Sequence, residues 1–253
     1  MVSIITPSYN TAKYIAETIK SVLSQTYTNW EMLIVDDCST DNTDEIVSEY
    51  LSDKRIRYFK NSERKGAAYS RNLAIREAKG RYIAFLDSDD IWKPDKLEKQ
   101  LNFMCTNGYS FTCTYYEETD EAGFPLGKLN TAPAKITKRK MFDYCYVGCL
   151  TVMYDSTVTG LIQIENLKKN NDYAIWLKVV RFAPCYTLKE NLALYRRRAG
   201  SITGHKKSSL IKYHFALFRE GEKKGPVSAF FLTLRNMFFG VYKKLFYVKK
   251  IKR

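Results

Sequence analysis

The chain has 253 residues, 45% of them apolar, and a formal net charge of +14. That length supports one substantial core, and the composition is that of a globular protein, not of a disordered or collagen-like one. The six cysteines, at 38, 105, 113, 145, 149 and 185, form no CxxC pair, and the only histidines are His205 and His214. Neither a disulfide framework nor a zinc set is therefore expected, and with no signal peptide legible the thiols read as reduced and cytoplasmic.

Residues 2–7, VSIITP, read as a short apolar strand stopped by Pro7. Residues 14–25 then place Ile15, Ile19, Val22 and Leu23 on one helical face. Residues 31–41, EMLIVDDCSTD, repeat the opening pattern of a strand and a sharp acidic stop, and a polar helix runs on to about Tyr50. Ile56, Tyr58 and Phe59 suggest a third strand, and residues 66–78 a helix closed by Gly80. Tyr82 to Leu86 form a fourth strand that ends in Asp87, Ser88, Asp89 and Asp90. Strands alternating with helices predict a parallel sheet with right-handed crossovers. Past about residue 110, FTCTYY (111–116) reads as a strand, EETDEAGFPLG as a turn-rich connector, and residues 149–153 as a further strand. In NNDYAIWLKVV (170–180), Tyr173, Trp176, Leu177 and Val180 share a helical face, with Asp172 in the first turn.

The acidic stop at 87–90 carries the most chemistry. Carboxylates at the carboxyl end of a buried strand lie where open α/β sheets bind ligands. Clustered like charges repel, so the turn needs a cation or strong donors. A divalent metal bridging a diphosphate meets that need. The alternative is a solvated acidic turn capping a helix opened by Pro94. The chain carries no GxGxxG fingerprint and no P-loop; its turns, TPSYNT and DDCSTD, are rich in hydroxyls and carboxylates. What remains is a nucleotide held by side chains, with its phosphates held through a metal.

Five segments, VSIITPSYN (2–10), SVLSQTYTNWEMLIVDDCSTDNT (21–43), KGAAYSRNLAIREAKGRYIAFLDSDDIWKPDKLEKQ (65–100), NNDYAIWLKV (170–179) and LYRRRAGSIT (194–203), together resemble family 2 glycosyltransferases of the GT-A fold. The Trp92 region and YRRRAGSIT resemble, more narrowly, bacterial transferases that build capsule, O-antigen or teichuronic-type polysaccharide. The resemblance implies an α/β fold with a Rossmann-like, mostly parallel sheet flanked by helices. It implies a donor half over about 1–109 and an acceptor half over about 110–204; residues 205–253 lie beyond it and read from their own pattern as a basic, aromatic-rich helical tail. It also implies a nucleotide-sugar donor, with UDP the expected nucleotide, and Mn²⁺ or Mg²⁺. The acceptor would be a saccharide hydroxyl on a lipid pyrophosphate carrier.

By resemblance, Thr6, Pro7 and Tyr9 pack the base, and Asp37 accepts a hydrogen bond from the uracil ring N–H while Asp36 supports the turn. Tyr9 as a surface aromatic and Asp37 as a helix cap are the plain alternatives. Arg71 meets the nucleotide or its phosphates, or else forms a salt bridge to the acidic turn; both can hold without ligand. Asp87, Ser88 and Asp89 form the DxD signature, with Asp89 a metal ligand and Asp87 at the ribose and the metal. Asp172 is the general base, or read from the residues alone an N-cap; relatives often carry Glu-Asp where this chain has Asn171-Asp172. Trp176, Arg196 and Arg198 are candidate acceptor or diphosphate contacts, with a plain basic turn as the alternative for the arginines. Relatives often have histidine where Arg198 stands. One base and one metal imply single displacement with inversion. A nucleotidylyltransferase would instead carry a Gly-rich, basic phosphate loop, and a non-catalytic carbohydrate-assembly protein would not retain Asp37, Asp87, Asp89 and Asp172 together.

Residues 205–253 hold thirteen Lys or Arg and two Glu, net +11, leaving +3 for the first 204. The run AFFLTLRNMFFGVYKKLFYVKKIKR joins that charge to aromatic bulk, and its clean apolar stretches are too short to span a bilayer. It reads as an amphipathic helix on an anionic membrane surface, which would hold the protein at the inner face of the cell membrane. Docking on the protein's own core or on an assembly partner is the alternative. Nucleic acid is excluded by the phenylalanine density and the acidic cleft.

Overall fold

The first apolar run becomes β1 (Val2–Ser8), buried along its whole length, in a computed structural model that describes residues 1–198 and 207–251. α1 (Ile15–Leu23) buries Ile15, Ile19 and Val22 as their spacing predicts, while Leu23 is exposed. β2 (Trp30–Asp36), α2 (Thr43–Ser48), β3 (Ile56–Lys60), α3 (Ala67–Glu77) and β4 (Tyr82–Phe85) complete the alternation. β1 pairs in parallel with both β2 and β4, and β2 with β3. Helices cover both faces, which is why these strands read as unbroken apolar runs. Ile4, Met32 and Ile34 pack to one side with Ile15 and Ile19; Ile5, Leu33 and Val35 pack to the other with Ile75 and Trp176.

Two local expectations change. Pro7 does not stop β1; it pairs with Val35 inside the strand. Ile5 O accepts from Leu86 N on the β4 side and Ser8 O from Asp37 N on the β2 side, so the N–H that Pro7 lacks would face β4, which has ended at Phe85. No ladder bond is lost. Gly80 does not cap α3 either, because the helix ends at Glu77 and Ala78 is extended. A Cβ at Gly80 would lie 2.7 Å from Ser3 N and 2.9 Å from Met1 O, so glycine lets the chain pass against β1.

The second half makes the sheet mixed. β5 (Ile91–Trp92) and α4 (Lys96–Asn107) follow the acidic turn, then β6 (Phe111–Thr119) and β7 (Pro125–Asn130) form a hairpin where a turn-rich connector was expected. Next come β8 (Lys135–Ile136), α5 (Lys138–Asp143), a 3₁₀ turn at Cys149–Thr151, β9 (Met153–Asp155) and α6 (Ser156–Thr159). The strand expected over 149–153 thus begins only at Met153. β9 lies between β4 and β6 and runs antiparallel to both. α7 (Asn171–Val179) packs under the sheet, and β10 (Cys185–Arg196) runs parallel to β6 and antiparallel to β5. The parallel arrangement therefore holds for β1 to β4, and the second half of the sheet is largely antiparallel.

The tail does not stand apart from the rest. α8 (Lys207–Ala216) and a π turn lead to α9 (Pro226–Phe246) and β11 (Val248–Lys250), which pairs antiparallel with β7 as a sheet edge. The inner face of α9 buries Ala229, Thr233 and Asn236, and Asn236 Nδ2 donates to the Tyr173 hydroxyl of α7 at 2.8 Å. Arg235 pairs with Asp143 of α5 at 2.5 Å. The outer face of α9 is exposed and apolar, with Phe238 69% and Leu245 71% accessible. Among the described residues no helix is long and apolar enough to cross a membrane.

Candidate active site

The carboxyl ends of β1, β2 and β4 meet the end of β10 along one rim. After β1, Tyr9 is half-buried, and the Arg64 guanidinium lies 4.1 Å from its ring centroid. That cation–π contact leaves a flat, cation-capped aromatic at the first turn. Asn10, at φ 50°, accepts from Thr40 N at 2.9 Å, and its own N–H donates to Ser39 Oγ at the same length, tying the first turn to the second. Thr6 and Pro7 are buried inside β1 and form the floor of the turn, with the Thr6 hydroxyl unpartnered.

At the end of β2 the two aspartates divide the work. Asp36 accepts from the Ser39 amide at 2.9 Å and from its hydroxyl, so it holds the turn, as expected. Asp37 accepts from Asn61 Nδ2 at 2.9 Å and from the Lys65 and Gly66 amides at 2.8 Å each. Three of about four lone-pair sites are used. Asp37 thus fixes the loop entering α3, with one acceptor position left for a ligand donor. It does not cap α2, whose N-cap is Asn42.

α3 carries Arg71, which is buried. One guanidinium nitrogen donates to Asp87 Oδ1 and another to Asn171 Oδ1, with Cys149 Sγ at 3.9 Å. The salt bridge to the acidic turn weighed from sequence is therefore formed, and it extends to the start of α7. Asp172 occupies the first turn of α7, and the N-cap is Asn170 at φ 58°, so Asp172 is not the cap. Burial pushes the Asp172 carboxyl up from its ordinary range, and the Arg71 charge pulls it part of the way back.

β10 closes the opposite side. Its pairing with β5 brings Arg196 to the acidic turn, where the Arg196 N–H donates to Asp90 Oδ1 at 3.0 Å. The Arg196 side chain, almost fully buried, donates to Asp89 O at 3.0 Å, to Glu121 O at 2.8 Å and to Glu17. Those bonds make Arg196 a clamp on the turn, with little left for a diphosphate. Arg198 Nε lies 2.6 Å from Asp89 Oδ2. Asp90 is buried, and burial, then Asp89 and Asp87, raise its carboxyl well above the ordinary range; Asp90 Oδ2 has no partner. Burial and its two acidic neighbours thus favour the protonated, structural form of Asp90. Burial also raises Asp89, Arg198 lowers it, and Asp87 raises it. Ser88 is buried between them.

The acidic turn therefore presents two usable carboxylates, Asp87 and Asp89, partly exposed at 30% and 18%. Both are hard oxygen donors, and two do not make a closed cage; among the described residues no three acidic, His or Cys side chains converge on one point. This donor set fits a Mg²⁺- or Mn²⁺-type ion that completes its shell with diphosphate oxygens and water. Asp89 and Asp87 are the residues that would hold it.

The fold thus brings together Tyr9, Asp37, Arg71, Asp87, Ser88, Asp89, Asp172, Arg196 and Arg198. It does not bring Trp176 to the rim. That indole is fully buried, edge-on to Phe85 at 4.8 Å, and serves the core beneath α7. Its position corrects the expected acceptor contact, because the Trp176 side of α7 packs on Phe85 and Phe111 of the sheet. Residues 199–203 of the YRRRAGSIT segment lie outside the described residues. Sequence reasoning missed Arg64, whose only signal was its place in the RKGAAYSR run, as well as the link from Asn171 to Arg71 and the clamp residue Glu17.

The solved structure of S. aureus TarS 1–349 in complex with UDP-GlcNAc superposes with a TM-score of 0.70 at 21% identity, covering 90% of this chain and 69% of that one. The fold is thus the GT-A type that the sequence resembles. TuaG of Bacillus subtilis (strain 168), a glycosyltransferase assigned to teichuronic acid biosynthesis, is 45% identical over 88% of this chain and 89% of its own length. The Escherichia coli UDP-Glc:alpha-D-GlcNAc-diphosphoundecaprenol beta-1,3-glucosyltransferase WfgD is 39% identical over 100% of this chain and 98% of its own. A family model, Glycosyl transferase family 2, matches residues 3–153. The chain belongs to that family.

Proposed function

We propose that this glycosyltransferase moves a sugar from a UDP-sugar to a hydroxyl of a saccharide carried on a lipid pyrophosphate, in bacterial surface polysaccharide synthesis, with inversion. The observation that carries the reading is the buried Arg71, which bonds both Asp87 at the donor rim and Asn171 at the start of the Asp172 helix. One rigid guanidinium thus sets the spacing between the donor carboxylates and the base. The names of the relatives support the rest: WfgD acts from UDP-Glc on a diphosphoundecaprenol-linked sugar, and TuaG is assigned to a cell-surface polymer.

In this reading the other face of Tyr9, backed by Arg64, takes the nucleotide base and Asp37 accepts from its ring N–H. Asp172 takes the proton of the acceptor hydroxyl as that oxygen attacks the anomeric carbon from the face opposite the leaving diphosphate. The partly raised affinity of Asp172 for a proton suits a base that must accept one near neutrality. A divalent cation on Asp89 and Asp87 would neutralise the charge that builds on the leaving nucleoside diphosphate. A carrier-linked acceptor is membrane-borne, so the enzyme works peripherally at the inner face of the membrane.

The test is a screen of nucleotide-sugars with a lipid-pyrophosphate-linked acceptor, with Mn²⁺, with Mg²⁺ and with chelator. Free UDP together with a glycoside of inverted configuration is expected, and Asp89→Ala should lose most turnover while staying folded. Pyrophosphate with a nucleotide-sugar product would mean nucleotidylyl transfer instead. Full turnover in chelator would remove the metal from the scheme.

A further inference from the structure

We infer that the groove between α5 and the first half of α9 is a docking site for the anionic headgroup of a membrane phospholipid, with the outer face of α9 seated in the acyl boundary. This deepens the peripheral-membrane part of the proposed function and rests on it. The groove is a cleft of about 720 Å³ lined by Lys138, Arg139, Lys224 and Arg235, with apolar walls that include Phe142 and Phe231. Among the described residues no acidic side chain lines it. Asp143, behind it, is already engaged by Arg235 at 2.5 Å and is buried. Arg139 and Arg235 share Asp143, so four cations meet one carboxylate and the cleft keeps a surplus of positive charge, and apolar walls beside them suit a phosphate that carries a hydrocarbon tail.

The second observation is independent of the cleft. α9 has two faces, and its inner one is spent on the protein through Asn236, Thr233 and Ala229. Its outer face presents Phe230, Leu234, Phe238, Val241 and Leu245, all exposed and spaced by four, four, three and four residues along one side. No acidic residue occurs anywhere in 223–253, while Lys244, Lys249 and Lys250 follow the ridge; Lys243 turns inward to the Cys145 carbonyl. A groove for a partner protein would need a shape to grip; an exposed apolar ridge followed by lysines matches a flat, anionic, apolar-cored surface. Phenylalanine ridges have no role in binding a free soluble anion, which is why the lipid is the occupant assigned.

The experiment uses the full chain and vesicles of phosphatidylcholine with or without phosphatidylglycerol, read by co-sedimentation at low and high salt. Binding that requires phosphatidylglycerol is expected. Lys138→Ala/Arg139→Ala/Lys224→Ala should weaken it on the order of 100-fold, since each near-surface cation contributes about fivefold. Phe230→Ala/Phe238→Ala should abolish the fraction that survives high salt. Both variants should keep wild-type melting and wild-type transfer to a short soluble acceptor, because neither touches the rim. Equal binding by the triple variant overturns the headgroup site. Release by inorganic phosphate at matched ionic strength would make the cleft a soluble-anion site, and a dimer in sedimentation that Phe230→Ala/Phe238→Ala dissolves would make the ridge a self-interface; either overturns the lipid assignment. Loss of transfer to the soluble acceptor in wild-type protein, with vesicle binding intact, would instead count against the catalytic reading alone.

Discussion

Arg198 Nε stands 2.6 Å from Asp89 Oδ2, so the carboxylate expected to meet a divalent cation already meets a fixed positive charge. A metal ion arriving at Asp89 must displace that guanidinium or share the carboxylate with it. Arg198 is thus a competitor for the carboxylate that such an ion would use. Arg198→Ala should therefore bind Mn²⁺ more tightly in the absence of nucleotide, by up to about fivefold, since the pair is partly exposed and screened. Electron paramagnetic resonance of free Mn²⁺ at pH 8 measures it directly, without any turnover. Weaker Mn²⁺ binding by the variant would mean that Arg198 helps to build the site.

The base is tested by Asp172→Asn, which keeps the shape of the side chain and removes its proton affinity. Transfer should fall roughly 10²–10⁴-fold, the usual scale for losing a general base. Nucleotide binding, measured by calorimetry with UDP, should be unchanged, because Arg71 and not Asp172 bonds the rim carboxylate Asp87. Wild-type transfer by this variant would assign the proton to another group.

The parts of this site legible in the sequence are those built from one short segment each. The acidic turn follows from a strand end read locally, while the roles expected of Asp37 and Asp172 came from the family resemblance, each carried by one short segment. The parts that were not legible depend on closure over long separations. Arg196 reaches Asp90 across 106 residues only because β10 pairs with β5. The burial of Asp90 could not be read either, because sequence shows charge and not burial. Trp176 shared a helical face with three other apolar residues, and that face turned out to be core. The second half of the sheet escaped for a related reason: β9 is three residues long, and its antiparallel insertion between β4 and β6 leaves no periodic trace.

The pH dependence follows from Asp172 and Arg71. Burial raises the carboxyl, so it is protonated, and unable to act as base, at pH values where an exposed aspartate is still ionised. The acid limb of kcat/KM should therefore lie above the usual aspartate range, with activity rising as pH climbs through it. Arg71 lowers the same group, so Arg71→Met should move that limb to higher pH while Arg71→Lys, which keeps the charge, should move it less. Melting curves at each pH separate this shift from unfolding. A limb unmoved by Arg71→Met would mean that the titrating group is not Asp172.

The last prediction concerns the tail. Asn236 donates to the Tyr173 hydroxyl at 2.8 Å, and that hydroxyl donates to Met141 O at 2.6 Å, so α9, α7 and α5 share one buried polar chain. Asn236→Ala removes a donor to a buried oxygen and opens a small void, at a cost of about 1–3 kcal/mol. Urea unfolding should show that loss in the midpoint with the slope unchanged. Because Tyr173 follows Asp172 directly in α7, transfer should fall as well, modestly and without any change in the pH limb. Deleting residues 226–251 should do far more than detach a membrane anchor. It strips β11 from the edge of β7 and uncovers the α5 and α7 surface that α9 buries. The truncated chain is expected to be insoluble or to melt well below the intact protein. A truncation that folds with wild-type stability and binds UDP normally would show that the tail's packing contributes nothing to the catalytic core.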